Sequence, residues 1–262
     1  MRRFPTQPVA LTIAGSDSGG GAGIQADLKT FHALGVFGTS AITCVTAQNP
    51  DRVSAIQAVR PGIVAEQIAR VCEAFPVGAV KTGMLYDAAI IRAVAAELRG
   101  RNIANLVVDP VMVATSGALL LKPGAIRALT AGLFPLARLI TPNLAELEVL
   151  VGHRVRTLPE LRAAARELSR RYDVAVLAKG GHLPVGGMVV DVLCAGKRVR
   201  EFRSAHVASA KPHGAGCTFS AAMAAHLARG FSLEAAVAGA KRFIGRAIRE
   251  PIRLGRYAAL RV

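Results

Sequence analysis

Tryptophan is absent from this 262-residue chain, and aromatic residues of all kinds make up only 5% of it. A chain so poor in stacking surfaces offers no platform for single-stranded nucleic acid. Cysteine is scarce as well. The four thiols, Cys44, Cys72, Cys194 and Cys217, form no C-x-x-C pair and have no metal spacing with histidine. That argues against a disulfide framework or a zinc site and predicts free thiols in a reducing, cytoplasmic setting. Long apolar runs are missing too. None reaches the roughly 20 residues of a membrane span. Val9 to Ala14, behind Arg2-Arg3, is too short for a secretory h-region, so the sequence predicts no membrane partner. Acids are few, 17 against 33 lysines and arginines, for a net charge of +16. The excess is scattered over Arg162, Arg166, Arg170 and Arg171 and over the tail from Arg246 to Arg261. Without a continuous basic stripe, no nucleic-acid partner is expected, and a positive field equally suits a polyanionic nucleotide.

Hydrophobic residues are plentiful, at 52%, enough for a sizeable core. Short apolar runs alternate with helical patterns along the whole chain. Val9 to Ala14 runs into Gly15-Ser-Asp17-Ser-Gly-Gly-Gly-Ala22-Gly23, with five glycines in nine residues, and then into a helical face of Ile24, Leu28 and Phe31. The turn lacks both the P-loop pattern and the ordered G-x-G-x-x-G of a dinucleotide fold. Glycines this dense let a ligand approach the backbone, with Asp17 and Asp27 as the available acceptors. Thr39 to Thr46 reads as a strand stopped by Asn49-Pro50. Gln48, at its end, could read a heterocycle through its amide, although a solvated loop residue is the plainer reading. Helices are expected from Val64 to Phe75 and from Asp87 to Leu98, with a strand from Ala79 to Gly83 between them.

Three further apolar runs each deliver a polar residue at the carboxyl end. Leu106-Val-Val ends in Asp109-Pro110. Leu139-Ile-Thr141-Pro142 ends in Asn143, with Glu146 one helical turn later. Val174 to Ala178 ends in Lys179. In an open parallel sheet, ligands sit outside the carboxyl ends of the strands, so Asp109, Asn143, Glu146 and Lys179 should share one rim. Acids and an amide oxygen suit Mg²⁺, and a lysine neutralises phosphate. Met188 to Leu193 and Arg198 to Phe202 read as an edge hairpin around Ala195-Gly196. With no linker, repeat or low-complexity stretch, residues 1–262 read as one doubly wound α/β domain.

The stretch that most invites chemistry is His213-Gly214-Ala215-Gly216-Cys217-Thr218, which leads into an alanine-rich helix. Its glycines and the helix N-terminus make an anion cradle of N–H groups from Gly214, Ala215, Gly216 and Cys217. A thiol in a first helical turn has a lowered pKa, so Cys217 is expected to be a base beside that cradle. A helix start with small residues packed behind it is the competing reading.

Taken in order, these strings resemble the hydroxymethylpyrimidine/phosphomethylpyrimidine kinases of the ribokinase superfamily. They are Ala14-Gly-Ser-Asp-Ser-Gly-Gly-Gly-Ala-Gly-Ile-Gln-Ala-Asp-Leu-Lys29, Thr46-Ala-Gln48-Asn, Lys81-Thr-Gly-Met84, Asp109-Pro-Val-Met-Val113, Thr141-Pro-Asn-Leu-Ala-Glu146, Lys179-Gly-Gly-His182 and His213-Gly-Ala-Gly-Cys-Thr218. The resemblance runs from about Val9 to Ala247. It implies a ribokinase-like three-layer αβα sandwich with a mostly parallel central sheet, and commonly a homodimer. It implies ATP-dependent phosphorylation of 4-amino-5-hydroxymethyl-2-methylpyrimidine and then of its monophosphate. By motif, Gln48 would pair with the aminopyrimidine, and Gly15, Ala22, Met84 and Val111, with Asp17 and Asp27 close by, would form its pocket. Asp109 and Glu146, with Asn143, would organise Mg²⁺. Lys179, Asn143 and Ala215 would meet ATP. Cys217 would stand where sugar kinases of the superfamily carry an aspartate base, with Gly214 and Gly216 in the cradle. There are departures. Ala215 stands where many of these kinases carry threonine, Lys211-Pro212 stands where they carry Asn-Thr, and the C-terminus lacks a Gly-His-Gly-Pro ending. A pyridoxal or pyridoxine kinase, and a vitamin-binding protein without catalysis, are the alternatives.

Overall fold

The computed structural model describes residues 6–112, 120–122, 124–181, 183, 186–207 and 213–262. Val113, His182 and Ser209 to Pro212, with the Lys211-Pro212 departure, lie outside the described residues.

Parallel strands with helices on both faces must be apolar on both faces, and the first strand shows it. In β1 (Val9–Asp17) every residue but Ser16 is buried. It is followed by α1 (Gly23–Ala33), β2 (Phe37–Gln48), β3 (Val53–Ala58), α2 (Pro61–Ala74), β4 (Val77–Thr82) and α3 (Ala88–Arg99). Then come β5 (Leu106–Val108), α4 (Ala125–Gly132), β6 (Leu139–Ile140), α5 (Leu144–Val151), α6 (Leu158–Tyr172) and β7 (Ala175–Ala178). The chain closes with β8 (Met188–Ala195), β9 (Arg198–Ala205), α7 (Ala215–Ala228), α8 (Leu233–Arg249), β10 (Ile252–Leu254) and β11 (Tyr257–Ala259).

Among the described residues nine strands form one sheet, in the order β3-β2-β1-β4-β5-β6-β7-β8-β9. The six from β2 to β7 in that order are parallel; β3 at one edge and β8 near the other run antiparallel to them, and β9 turns back antiparallel to β8. Strand residues alternate between two cores, as a period of two requires. Leu11, Ile13, Val108, Ile140 and Val176 face α2 to α6. Ala10, Ala79, Val107, Leu139 and Leu177 face α1, α7 and α8. This is the three-layer sandwich expected from the sequence. The helix caps are local chemistry: Asp87 accepts from Ala89 and Ile90 N–H at the start of α3, and Thr157 and Glu160 form a reciprocal box at the start of α6. α7 is buried from Thr218 to Ala225, because its small side chains let it lie flat between the sheet and α8.

Two elements depart from the sequence expectation. The segment beyond Asn49-Pro50 returns as the edge strand β3, pairing with β2 through Cys44 to Gln48. The residues read as a basic tail form the small hairpin β10–β11, where Arg256 reaches Asp51 at 2.6 Å. Both segments are largely exposed and carry no run of core residues, so apolar patterning could not announce them.

Candidate active site

Because β2, β1, β4, β5, β6 and β7 all run the same way, their carboxyl ends form one rim. They place there Gln48, Asp17, Met84, Asp109, Asn143 and Lys179 respectively. Asp109 is the hub. Its Oδ1 accepts from Lys179 Nζ at 2.9 Å and from Thr141 Oγ1 at 3.1 Å, and its Oδ2 accepts from Ser220 Oγ of α7 at 3.1 Å. The Lys179 ammonium is held above its ordinary pKa: burial works to lower it, but Asp109 and Glu146 outweigh burial. It stays charged through the working range.

Asn143 and Glu146 form a capping box at the start of α5. Asn143 Oδ1 accepts from Glu146 N–H at 3.0 Å, and Glu146 Oε2 accepts from Asn143 N–H at 2.8 Å. The box fixes the Glu146 carboxyl near Asp109. Burial pushes Glu146 up to about 7, and Lys179 pulls the other way. Two buried carboxyls lie near one another, with the Lys179 ammonium bonded to one of them.

The glycine cradle closes over this hub. The first helical bond of α7 runs from Thr218 N–H to Gly214 O at 2.9 Å, so the N–H groups of Ala215, Gly216 and Cys217 have no acceptor inside the helix. A methyl group placed on Gly216 would lie 3.7 Å from Lys179 Nζ and 4.0 Å from Asp109 Oδ2. Gly214 has φ +82°, and a methyl there would come within 1.7 Å of Gly21 O. Only glycine lets the two glycine turns touch at that point.

The first turn is organised by Asp17, which accepts from Gly19 N–H at 2.8 Å, Ala22 N–H at 2.8 Å and Gly21 N–H at 3.1 Å. His213 Nε2 lies 2.9 Å from Asp17 Oδ2. Burial raises the Asp17 carboxyl, but the His213 bond and the Ala22 and Gly19 N–H groups outweigh it and hold it below its ordinary value. The Gln48 amide lies 3.1 Å from the same His213 nitrogen. That nitrogen must donate to the carboxylate. The Gln48 group facing it is therefore best taken as the carbonyl oxygen, with the NH₂ turned to Thr46 Oγ1 at 3.2 Å. Each amide atom keeps one further hydrogen-bonding position for a heterocycle.

At the same rim lies a small apolar cluster of Cys44, Met84 and Leu120, with Ile56, Tyr86 and Val111 against it. Gly15 sits at a bulge of β1, where a methyl would meet Cys44 Sγ at 2.7 Å and Met84 Sδ at 3.3 Å. Gly15, Met84 and Val111, expected together from the sequence, do meet, and Ala22 packs on Gly214. Sequence reading missed His213 as the link between Asp17 and Gln48, Ser220 and Thr141 on Asp109, and Cys44 in the apolar wall. Of these, His213 and Thr141 stood in recognised strings, but neither string disclosed the contact.

Two expectations are corrected. Asp27 does not line the pocket. It is fully buried, accepting from Thr12 Oγ1 at 2.6 Å and pairing with an equally buried Lys81 Nζ at 2.8 Å. Burial works against the Lys81 ammonium, but Asp27 outweighs it and raises its pKa. Breaking such a pair leaves an uncompensated interior charge. Lys81→Met is thus expected to cost about 3–5 kcal/mol in urea unfolding, with most of it recovered in Lys81→Met/Asp27→Leu. The second correction concerns Cys217. Burial pushes its thiol up to about 11, outweighing the pull of Lys81 and of the Gly23 N–H. The helix terminus does not make it a thiolate at neutral pH.

A doubly wound sheet, a glycine cradle at a helix start, and a lysine and two acids at one rim give the chain a ribokinase-like architecture. The phosphomethylpyrimidine kinase family model matches residues 17–260. The bifunctional thiamine biosynthesis protein ThiED of Geobacter sulfurreducens is 50% identical over 97% of this chain, which spans 51% of that protein's length. The hydroxymethylpyrimidine/phosphomethylpyrimidine kinase of Rhizobium meliloti is 47% identical, covering 94% of this chain and 92% of that one. Among solved structures, an ADP complex of Bacillus subtilis pyridoxal kinase superposes with a TM-score of 0.89 at 38% identity, covering 97% of both chains. A phosphomethylpyrimidine kinase of Clostridium difficile does so with 0.81 at 41% identity, covering 92% of this chain and 99% of that one. The chain belongs to the phosphomethylpyrimidine kinase family.

Proposed function

We propose that the chain transfers the γ-phosphoryl group of ATP to the hydroxymethyl group of 4-amino-5-hydroxymethyl-2-methylpyrimidine, and then to the phosphate of that product. The observation that carries this reading is the meeting at Gly216. There an open row of N–H donors, the Lys179 ammonium and the Asp109 carboxylate surround one position. Phosphoryl transfer asks for positioning and charge neutralisation more than covalent chemistry. The cradle supplies donors where charge develops. Lys179 neutralises the transferring phosphate, and Asn143 and Ala215 border its path. Gln48 offers one donor and one acceptor side by side, the complement of an aminopyrimidine edge, while Gly15, Met84 and Val111 give the ring an apolar bed.

Magnesium fits the donor set. Asp109 and Glu146 are buried carboxyls set near one another at the rim. Magnesium takes oxygen ligands, keeps several waters and is held by one or two carboxylates with substrate phosphates. Bound there through Asp109 and Glu146, it would screen the triphosphate and polarise the phosphoryl group.

Pyridoxal is the second reading, favoured by the fit to the Bacillus subtilis pyridoxal kinase. Steady-state kinetics with the pyrimidine alcohol, its monophosphate and pyridoxal separate the two. The expected result is a higher kcat/KM for the pyrimidine alcohol than for pyridoxal, with turnover of the monophosphate. A preference for pyridoxal overturns the assignment.

A further inference from the structure

A second buried ion pair lies behind the rim. Lys241 Nζ of α8 reaches Asp191 Oδ2 of β8 at 2.6 Å, with the two side chains 10% and 4% exposed. Taking two charges out of water confers no stability that an apolar pair would lack, so the pair invites another explanation. The other Asp191 oxygen supplies it: Oδ1 accepts from Gly180 N–H at 3.0 Å. Gly180 is the residue directly after Lys179. It is pressed so closely onto β8 that a methyl on it would come within 2.0 Å of Val190 O. Lys179 is gripped from both sides as a result. Its own N–H donates to Pro142 O at 2.9 Å, its ammonium to Asp109 at 2.9 Å, and the next peptide is tied to Asp191.

From this geometry we infer that Asp191 and Lys241 are positioning residues for phosphoryl transfer. Asp191 holds the Lys179–Gly180 peptide so that the ammonium meets the triphosphate at the cradle, and Lys241 holds Asp191 in the orientation that does so. Neither touches the reacting atoms, and α8 thereby acts on the site through one carboxylate. The inference rests on the reading of Lys179 as a phosphate ligand.

Two double variants of the full chain separate positioning from stability. Asp191→Leu/Lys241→Met removes both charges at once, so no lone charge is left inside, and it removes the acceptor for Gly180. Asp191→Asn/Lys241→Gln is also neutral but keeps an acceptor. The apolar pair is expected to fold and to lower kcat/KM for ATP by about tenfold to a hundredfold, with KM for the pyrimidine alcohol within twofold of the parent. The amide pair is expected to recover most of that loss. Parent-like ATP kinetics in the apolar pair, or equal losses on ATP and alcohol in both pairs, overturn the inference. If the apolar pair does not fold, Asp191→Asn against Lys241→Met decides by the same split between ATP and alcohol. Lys179→Ala, measured alongside, tests the parent reading. If it leaves ATP kinetics unchanged, the role of Lys179 itself fails. If it cripples them while the apolar pair does not, only the role of Asp191 and Lys241 fails.

Discussion

Gly216→Ala should nearly silence the enzyme without unfolding it, whereas Gly214→Ala should do both. The two glycines sit two residues apart and serve different purposes. Gly216 lies within the first turn of α7, where alanine is a better helix former than glycine by about 1 kcal/mol. A methyl there meets only ordinary contacts, 3.7 Å to Lys179 Nζ and 4.0 Å to Asp109 Oδ2. The protein has room for it, but it fills the space in which a phosphoryl oxygen must lie against the N–H groups. Removing one such donor set typically lowers kcat by about 10²–10³, and that is the expected loss, with an unchanged or slightly raised melting temperature. Gly214 has no such latitude. Its φ of +82° and the 1.7 Å approach to Gly21 O force the backbone of both turns apart. The left-handed conformation and the overpacking together should cost about 2–5 kcal/mol, and the cradle moves with them. Thermal melts beside initial rates read the contrast. Equal destabilisation by both substitutions would mean that the cradle is merely a packed helix start.

What the sequence disclosed follows from which interactions are local. Runs such as Leu106-Val-Val and Val174 to Ala178 announce buried parallel strands because both faces are covered, and the residue after each run must then stand at the rim. The Asn143-x-x-Glu146 spacing announces a helix start for the same local reason. Asp27 defeated this logic. An acid at the start of a helix after a glycine turn looks available to a ligand, and its partner Lys81 is 54 residues away on another strand. His213 owes its place to Asp17 and Gln48, 196 and 165 residues distant, so its string could be recognised but not its contacts. For Cys217 two local rules compete. The helix terminus favours thiolate and burial opposes it, and only the packing of α1 against α7 decides that burial wins.

That outcome sets the pH behaviour of the reaction. With its thiol pushed up to about 11 by burial, Cys217 is protonated at neutral pH. If the thiolate takes the proton from the hydroxymethyl group, turnover of the alcohol should climb about tenfold per pH unit between pH 8 and 9, because the deprotonated fraction grows that fast below the pKa. This window lies well above the ordinary carboxylate range, so the acids at the rim do not contribute to it. Phosphorylation of the monophosphate has a different requirement. Its acceptor oxygen is already ionised, so its rate should be nearly flat over the same range. Cys217→Ala should then lower the alcohol step at pH 9 by about 10²–10⁴ and flatten its profile, while the monophosphate step falls far less. Rapid-quench measurement of each step from pH 7 to 9 resolves the two. Equal losses in both steps, or a flat parent profile on the alcohol, would assign the sulfur to holding the α1 and α7 termini together, and the proton would have to leave the substrate by another route.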